Sequence, residues 1–312
     1  MKIKRWLALG LMLICLNGAA CAIGEETVSL EGKASFPADA EYIDLGAARV
    51  TDWEAFPDFL SRFPNLRKVD MFESPIIRRR ANALAERFPQ IEFGWTLRIV
   101  AYDHEHRVRT DATAFSTLHN NKTTEHTDEE LSVLRYCKQL RALDIGHNQV
   151  TDLSFLYELP ELRVLIIACN RVTDLTPVGS LQNLEYLELF KNRVTDLSPL
   201  SGLTRLMDLN FCYNKIEDVT PLYGMTSLRR VWCGRSAYYR YGDQKAADLS
   251  RETVGKLKEA LPTAQIDAQS SSTAGGWREH PHYDVIYRMF KTGEYIPFEE
   301  SEPSGQICIM TN

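Results

Sequence analysis

From residue 140 onward the apolar positions fall into a strict frame. Leu140, Leu162, Leu184, Leu206 and Leu228 stand 22 residues apart. The first four open the segments LRALDIGHN, LRVLIIACN, LEYLELFKN and LMDLNFCYN, and the fifth opens a looser copy. Each segment is followed by a second apolar stretch: VTDLSFL, VTDLTPV, VTDLSPL and IEDVTPL. Alternation within a segment predicts a short strand, so that Leu187 and Leu189 point inward while Leu184 joins them from the preceding bend. A fixed period of this length predicts coils stacked into a solenoid with one continuous strand face.

The polar positions complete the coil. Asn148, Asn170, Asn192 and Asn214 recur where the chain must turn, and stacked amides at one height can satisfy the backbone groups buried there. Thr176-Pro177, Ser198-Pro199 and Thr220-Pro221 read as a helix cap followed by proline at the first helical position, which predicts a single helical or 3-10 turn on the convex side. The row Thr51-Asp52, Thr151-Asp152, Thr173-Asp174, Thr195-Asp196 and Glu217-Asp218 reads as capping of the following turn, since calcium would need several oxygens in one tight loop.

Both flanks keep the pattern in degenerate form. Ile43-Asp44-Leu45-Gly46 matches Leu143-Asp144-Ile145-Gly146, with Ala48 in place of the asparagine, and the coils at Leu66 and Ile91 are about 25 residues long, with a helical stretch over Arg79–Arg87. Residues 98–130 break the period, which predicts a hairpin on the solenoid edge or a flap beside the concave face; the helix Asp128–Cys137 leads back to Leu140. Downstream, Arg251–Ala260 reads as a helix and Ala264–Asp267 as a last strand. Tyr283–Phe290 reads as a closing helix with Tyr283, Ile286, Tyr287 and Phe290 on one face.

Residues 1–22 pair a basic start, MKIKR, with a short apolar run and Ala20-Cys21-Ala22, the form of a secretory signal peptide. Cys21 is also a candidate lipid-modified cysteine, although Gly18 stands where such signals carry leucine. The organisation is therefore signal peptide over 1–22, N-terminal cap and degenerate repeats over 23–97, insertion and lead-in helix over 98–139, regular repeats over 140–236, and a C-terminal repeat and cap over 237–312. Loss of Lys2, Lys4 and Arg5 with the signal takes the formal charge from −6 to −9. That balance argues against nucleic acid and anionic membrane as partners, leaving a lipid on Cys21 as the membrane route. Cys137, Cys169, Cys212, Cys233 and Cys308 then remain; an odd number without close spacing fits free thiols, and no zinc spacing is present.

The L-x-x-L-x-L-x-x-N segments and V-T-D-L-S-P-L turns resemble the internalin-like class of bacterial leucine-rich-repeat proteins, specifically over Leu140–Trp232 and more loosely over residues 40–97. The resemblance implies an α/β fold, a right-handed leucine-rich-repeat solenoid with a curved parallel sheet and helical caps. In that class the concave face recognises a host or cell-surface protein. The sequence departs from better-known members, since it carries no wall-sorting motif of the L-P-x-T-G type.

Outward positions of the strands then define the candidate site. They present Ile166, Tyr186, Phe190, Tyr213 and Trp232, flanked by Glu188, Asp208, Asn210, Arg230 and Arg235. Aromatics beside arginine have the composition of an interface hot spot, which predicts protein binding by an exported recognition module. The alternatives are internal cover by the insertion or the C-terminal cap, and sugar rings stacked on the aromatics with Glu188, Asp208 and Asn210 bonding hydroxyls.

Enzyme chemistry has little support. His104 and His106 near Asp103 and Glu105, and His280 and His282 near Glu279 and Asp284, have a weak metal-ligand spacing. Cys169 and His147 fall at matching positions of adjacent coils, but two outward side chains explain them without a thiol–imidazole pair. No nucleophile elbow, phosphate loop or dinucleotide fingerprint occurs, so no catalytic residue, metal site or cofactor is expected.

Overall fold

The computed structural model describes residues 26–101, 104–118, 125–235, 248–270 and 276–298. The chain begins with a hairpin of β1 (Thr27–Leu30) and β2 (Ala34–Pro37). Next come β3 (Tyr42–Asp44), α1 (Phe56–Ser61), β4 (Lys68–Ile77), α2 (Arg78–Arg87), β5 (Glu92–Ala101) and β6 (His104–Arg109). Strands β3, β4 and β5 run parallel with Ile43, Val69 and Phe93 in register, while β6 folds back antiparallel on β5. The break in the period is therefore a hairpin on the edge of this first sheet.

Among the described residues the second sheet has seven strands, all parallel to their neighbours. It starts at β7 (Ala114–Ser116), which the sequence pattern did not reveal because β8 follows 28 residues later instead of 22. Between β7 and β8 lie α3 (Asp128–Leu131) and a 3-10 turn over Ser132–Tyr136, where one helix was expected. A capping box between Thr127 and Glu130 starts the helix. The regular coils then supply β8 (Ala142–Asp144), β9 (Val164–Ile166), α4 (Thr176–Gly179), β10 (Tyr186–Glu188), β11 (Asp208–Asn210) and β12 (Arg230–Trp232). Single 3-10 turns stand between strands at Ser154–Glu158, Ser198–Leu200 and Thr220–Leu222. Helix α5 (Arg251–Ala260) and strand β13 (Gln265–Asp267) close the stack, and α6 (Pro281–Thr292) follows.

The five frame leucines are buried, and Leu143, Leu165, Leu187, Leu209 and Val231 stack in register across the sheet. The asparagine ladder forms as the turns require. Asn192 Nδ2 donates to the carbonyls of Ile167 at 2.9 Å and Leu189 at 3.1 Å, and its Oδ1 accepts from Val172 N–H at 3.0 Å. Asn170 and Asn214 repeat those bonds one coil to either side. In the first coil, where Ala48 replaces the asparagine, Val50 N–H finds Ser74 Oγ at 2.9 Å.

Two local readings change. The turns are closed by Asp152, Asp174, Asp196 and Asp218, whose Oδ1 atoms accept N–H bonds from Ser154, Thr176, Ser198 and Thr220 at 2.7–2.8 Å. Ser198 and its equivalents are thus the first residues of the turn, not its caps. In α6 the buried stripe is His282, Val285, Ile286 and Met289, whereas Tyr287 is 62% exposed. The stripe expected at 283, 286, 287 and 290 is rotated because His282 has a buried partner on the sheet.

One backbone feature recurs. The residue before each turn asparagine is left-handed although none is glycine: φ is 55–57° at His147, Cys169, Lys191 and Tyr213, and 52° at Arg235 in the looser fifth copy. Among the described residues no helix is long and apolar enough to cross a membrane.

Candidate functional site

The seven-stranded sheet has an apolar core on one side and the expected recognition face on the other. Residues 276–298 lie across the middle of that face. Trp277, Val285, Ile286, Met289 and Phe298 form a second apolar cluster with Ala142, Val164, Ile166, Tyr186 and Trp232. The Trp277 ring sits 5.2 Å from Tyr186 and 5.5 Å from Trp232, centroid to centroid.

Two carboxylates in this strip are paired across the contact. Glu188 is fully buried and accepts from Trp277 Nε1 at 2.8 Å, Tyr186 OH at 3.1 Å and Arg278 at 3.3 Å. Asp208 receives the two-pronged guanidinium of Arg230 at 2.9 and 3.0 Å and meets His282 Nδ1 at 2.6 Å. Burial alone would raise the Asp208 carboxyl; its bonds to His282 and Arg230 outweigh that and hold it below the usual range. Asp144 has no such cation in bonding distance, and burial pushes it up to about 6 despite bonds from Gly146 N–H and Ser116 Oγ. Tyr295 N–H donates to Thr113 Oγ1 at 2.8 Å, tying the far end of the segment beside β7.

Of the ten residues read as a partner surface, Ile166, Tyr186, Glu188, Asp208, Asn210, Arg230 and Trp232 are therefore buried within the molecule. An open face is corrected to a covered one at these seven positions, because Trp277 and the α6 stripe supply the apolar contact that the aromatics need. Glu188 and Asp208 also spend their bonding capacity internally, which removes the hydroxyl partners of a sugar site. The signals for the cover were Trp277 and the apolar positions of α6; nothing in the repeat frame announced them.

The other three stand at the ends of the strands, with Phe190 and Tyr213 at the edge of the second apolar cluster. Phe190 and Tyr213 are half-buried and meet edge to face at 5.4 Å. Arg235 is exposed, donates to Tyr213 OH at 2.9 Å and lies over its ring at 5.6 Å. His147, Cys169 and Lys191 continue the same border, half-buried.

Of the two histidine pairs, the His104 side chain lies outside the described residues. Glu105 pairs with Arg98 and Arg107, and His106 sits edge-on to His126 at 5.1 Å; Asp103 lies outside the described residues. His280 and His282 instead come together with Asp208, each offering one ligand atom within 4.8 Å of the others. Arg230 already forks that carboxylate, so a cation placed there would face a guanidinium at close range. Burial, then Arg230, lowers His280 to about 4. Burial raises the Cys169 thiol, the opposite of an activated nucleophile. Cys137, Cys169 and Cys212 are free thiols; Cys21 and Cys308 lie outside the described residues.

Comparison with known proteins agrees with this architecture. Residues 138–180 and 182–223 each match the family pattern described as Leucine Rich repeats (2 copies). Internalin C2 from Listeria monocytogenes is similar in structure at 22% identity, over 59% of this chain and 74% of its own, with a TM-score of 0.36. A second Listeria monocytogenes internalin is 17% identical over 70% of this chain and 67% of its own, with a TM-score of 0.37. A leucine-rich-repeat protein of Leptospira interrogans is 16% identical over 68% of this chain and 74% of its own, with a TM-score of 0.38. No curated protein matches the sequence. Over residues 138–223 the chain carries leucine-rich repeats, and their strands stack side by side in one parallel sheet.

Proposed function

We propose that the chain is an exported protein-interaction module that meets its partner at the strand-end border, through Phe190, Tyr213 and Arg235. The observation carrying this reading is the cluster itself: an edge-to-face aromatic pair topped by arginine, left accessible while the neighbouring aromatics are covered. Tyrosine and arginine are over-represented among residues that dominate binding energies, and here the Tyr213 hydroxyl and Arg235 hold each other in place before any partner arrives. Export rests on the N-terminal sequence, the basic start and apolar run that end at Ala22.

The test is capture of surface proteins on the mature chain, compared with a Phe190→Ala/Tyr213→Ala/Arg235→Ala variant. The variant should lose a species that the parent retains, at an unchanged melting temperature. Trp277→Ala, which loosens the cover, provides the contrast. If that variant gains bound species while the triple variant loses none, the binding surface is the covered strip and the border reading fails.

A further inference from the structure

On the opposite border, where the strands begin, the residue after each frame leucine projects into a cleft of about 710 Å³. Four guanidiniums line it: Arg141, Arg163, Arg205 and Arg229. Among the described residues Glu185 is the one carboxylate in the lining, and it is shared by Arg163 at 2.6 Å and Arg205 at 3.7 Å. Among the described residues no carboxylate pairs with Arg141 or Arg229, both of which are exposed. The far wall is Tyr295, Pro297 and Phe298, with Arg141 and Arg163 about 6 Å from the Tyr295 ring centre. A chain of net charge −6 thus carries a local excess of positive charge, held in a concave site where the field is focused.

We propose that this cleft binds a short Asp- and Glu-rich peptide segment of a partner protein, lying across the coils with its carboxylates on the arginines. Geometry sets the length. Arg141 and Arg229 are four coils apart, about 19 Å at the usual strand spacing, which an extended peptide crosses in about six residues. Chemistry sets the class. Guanidiniums bind carboxylates in a planar fork, Thr204 and Ser227 supply hydroxyls along the floor, and Tyr295 and Phe298 give an apolar wall. A long polyanion such as nucleic acid would extend beyond the cleft onto an acidic surface that repels it. This site is separate from the strand-end border and stands without it.

The experiment is fluorescence anisotropy of a labelled hexaglutamate peptide on the mature chain, with a hexaglutamine peptide as reference. The acidic peptide should bind and the neutral one should not, and binding should weaken as salt is raised. Arg141→Ala/Arg229→Ala should reduce affinity about tenfold or more without lowering the melting temperature. Phe190→Ala/Tyr213→Ala should bind the peptide like the parent, so failure of the border reading leaves this result untouched. Equal binding of both peptides, or full affinity in the double arginine variant, overturns the proposal. So does displacement of the peptide by polyphosphate or RNA at lower concentration than by free hexaglutamate. Residues Glu299-Glu300-Ser301-Glu302 follow Phe298 in the sequence. If binding appears only after Glu299, Glu300 and Glu302 are changed to Gln, the chain's own tail is the occupant and an external acidic partner is ruled out.

Discussion

His282 Nδ1 and Asp208 Oδ2 stand 2.6 Å apart, joining α6 to β11 across 74 residues of sequence. Asp208 is in turn forked by Arg230, so the three residues form one buried charge group under the C-terminal cover. Removing one member of such a group costs more than the group contributes, because it leaves a charge stranded. Arg230→Ala should destabilise the protein by about 3–5 kcal/mol in urea unfolding. An Asp208→Leu/Arg230→Met double variant should recover much of that loss. Equal destabilisation in the two variants would show that the pair itself, and not the stranded carboxylate, dominates.

Trp277 is the apolar centre of the cover and its Nε1 is bonded to Glu188. Trp277→Ala should cost about 3–5 kcal/mol if the cover unfolds together with the solenoid. Hydrogen exchange then separates two outcomes. Protection lost throughout the strands means a single cooperative unit, and protection lost only over residues 276–298 means that the cover opens alone.

The asparagine ladder predicts a sharp positional contrast. Asn192→Ala would leave Val172 N–H without its partner and take one of two asparagine bonds from each of the Ile167 and Leu189 carbonyls. At about 1–3 kcal/mol for the buried N–H left unsatisfied, with two weakened carbonyls besides, the loss should be about 2–3 kcal/mol. Gln182→Ala, which removes a solvent-facing bond to the Gly179 carbonyl, should change stability by less than about 0.5 kcal/mol. Comparable midpoints for the two variants would contradict the ladder's structural role.

Asp144 gives the pH dependence a definite sign. Its folded pKa of about 6 lies above the ordinary 3.8, with burial the main cause, Glu188 adding to it and Arg278 opposing it. Between those values the folded state holds the proton that the unfolded state has released, so stability falls as pH rises from about 4 to 6 and then levels. Asp144→Asn keeps an acceptor for Gly146 N–H and removes the buried charge. It should raise stability at pH 7, on the order of 1–3 kcal/mol, and flatten that part of the profile. An unchanged profile would assign the dependence to other groups.

The repeat and its turns were legible because each coil states its own structure locally. Leu184, Leu187, Leu189, Asn192 and Asp196 lie within 13 residues, and the same message recurs in the neighbouring coils. Strand β7 is hidden in the sequence because its partner coil is longer, and the Nδ2 of Asn148 bonds Thr117 Oγ1 where the following coils use a backbone carbonyl. The cover was harder still. Residues Tyr283–Phe290 permit more than one apolar stripe, and the choice among them is made by His282 and Trp277 meeting Asp208 and Glu188. Pairings 74 and 89 residues apart leave no period in the sequence. The candidate site divides along the same line: Phe190, Tyr213 and Arg235 keep some exposure at the strand ends, whereas the other seven are buried by a distant segment.

The left-handed residues at 147, 169, 191, 213 and 235 give that strand-end border an unusual freedom. Each sits where glycine would be easier by about 1 kcal/mol, yet the chain places His, Cys, Lys, Tyr and Arg there, five different chemistries on one backbone shape. Of the five, Tyr213 packs against an apolar cluster, while the other four belong to neither cluster and can be exchanged as the coil beneath keeps its form. The solenoid thus carries a column of positions, one per coil, at four of which surface identity can be rewritten without rewriting the fold.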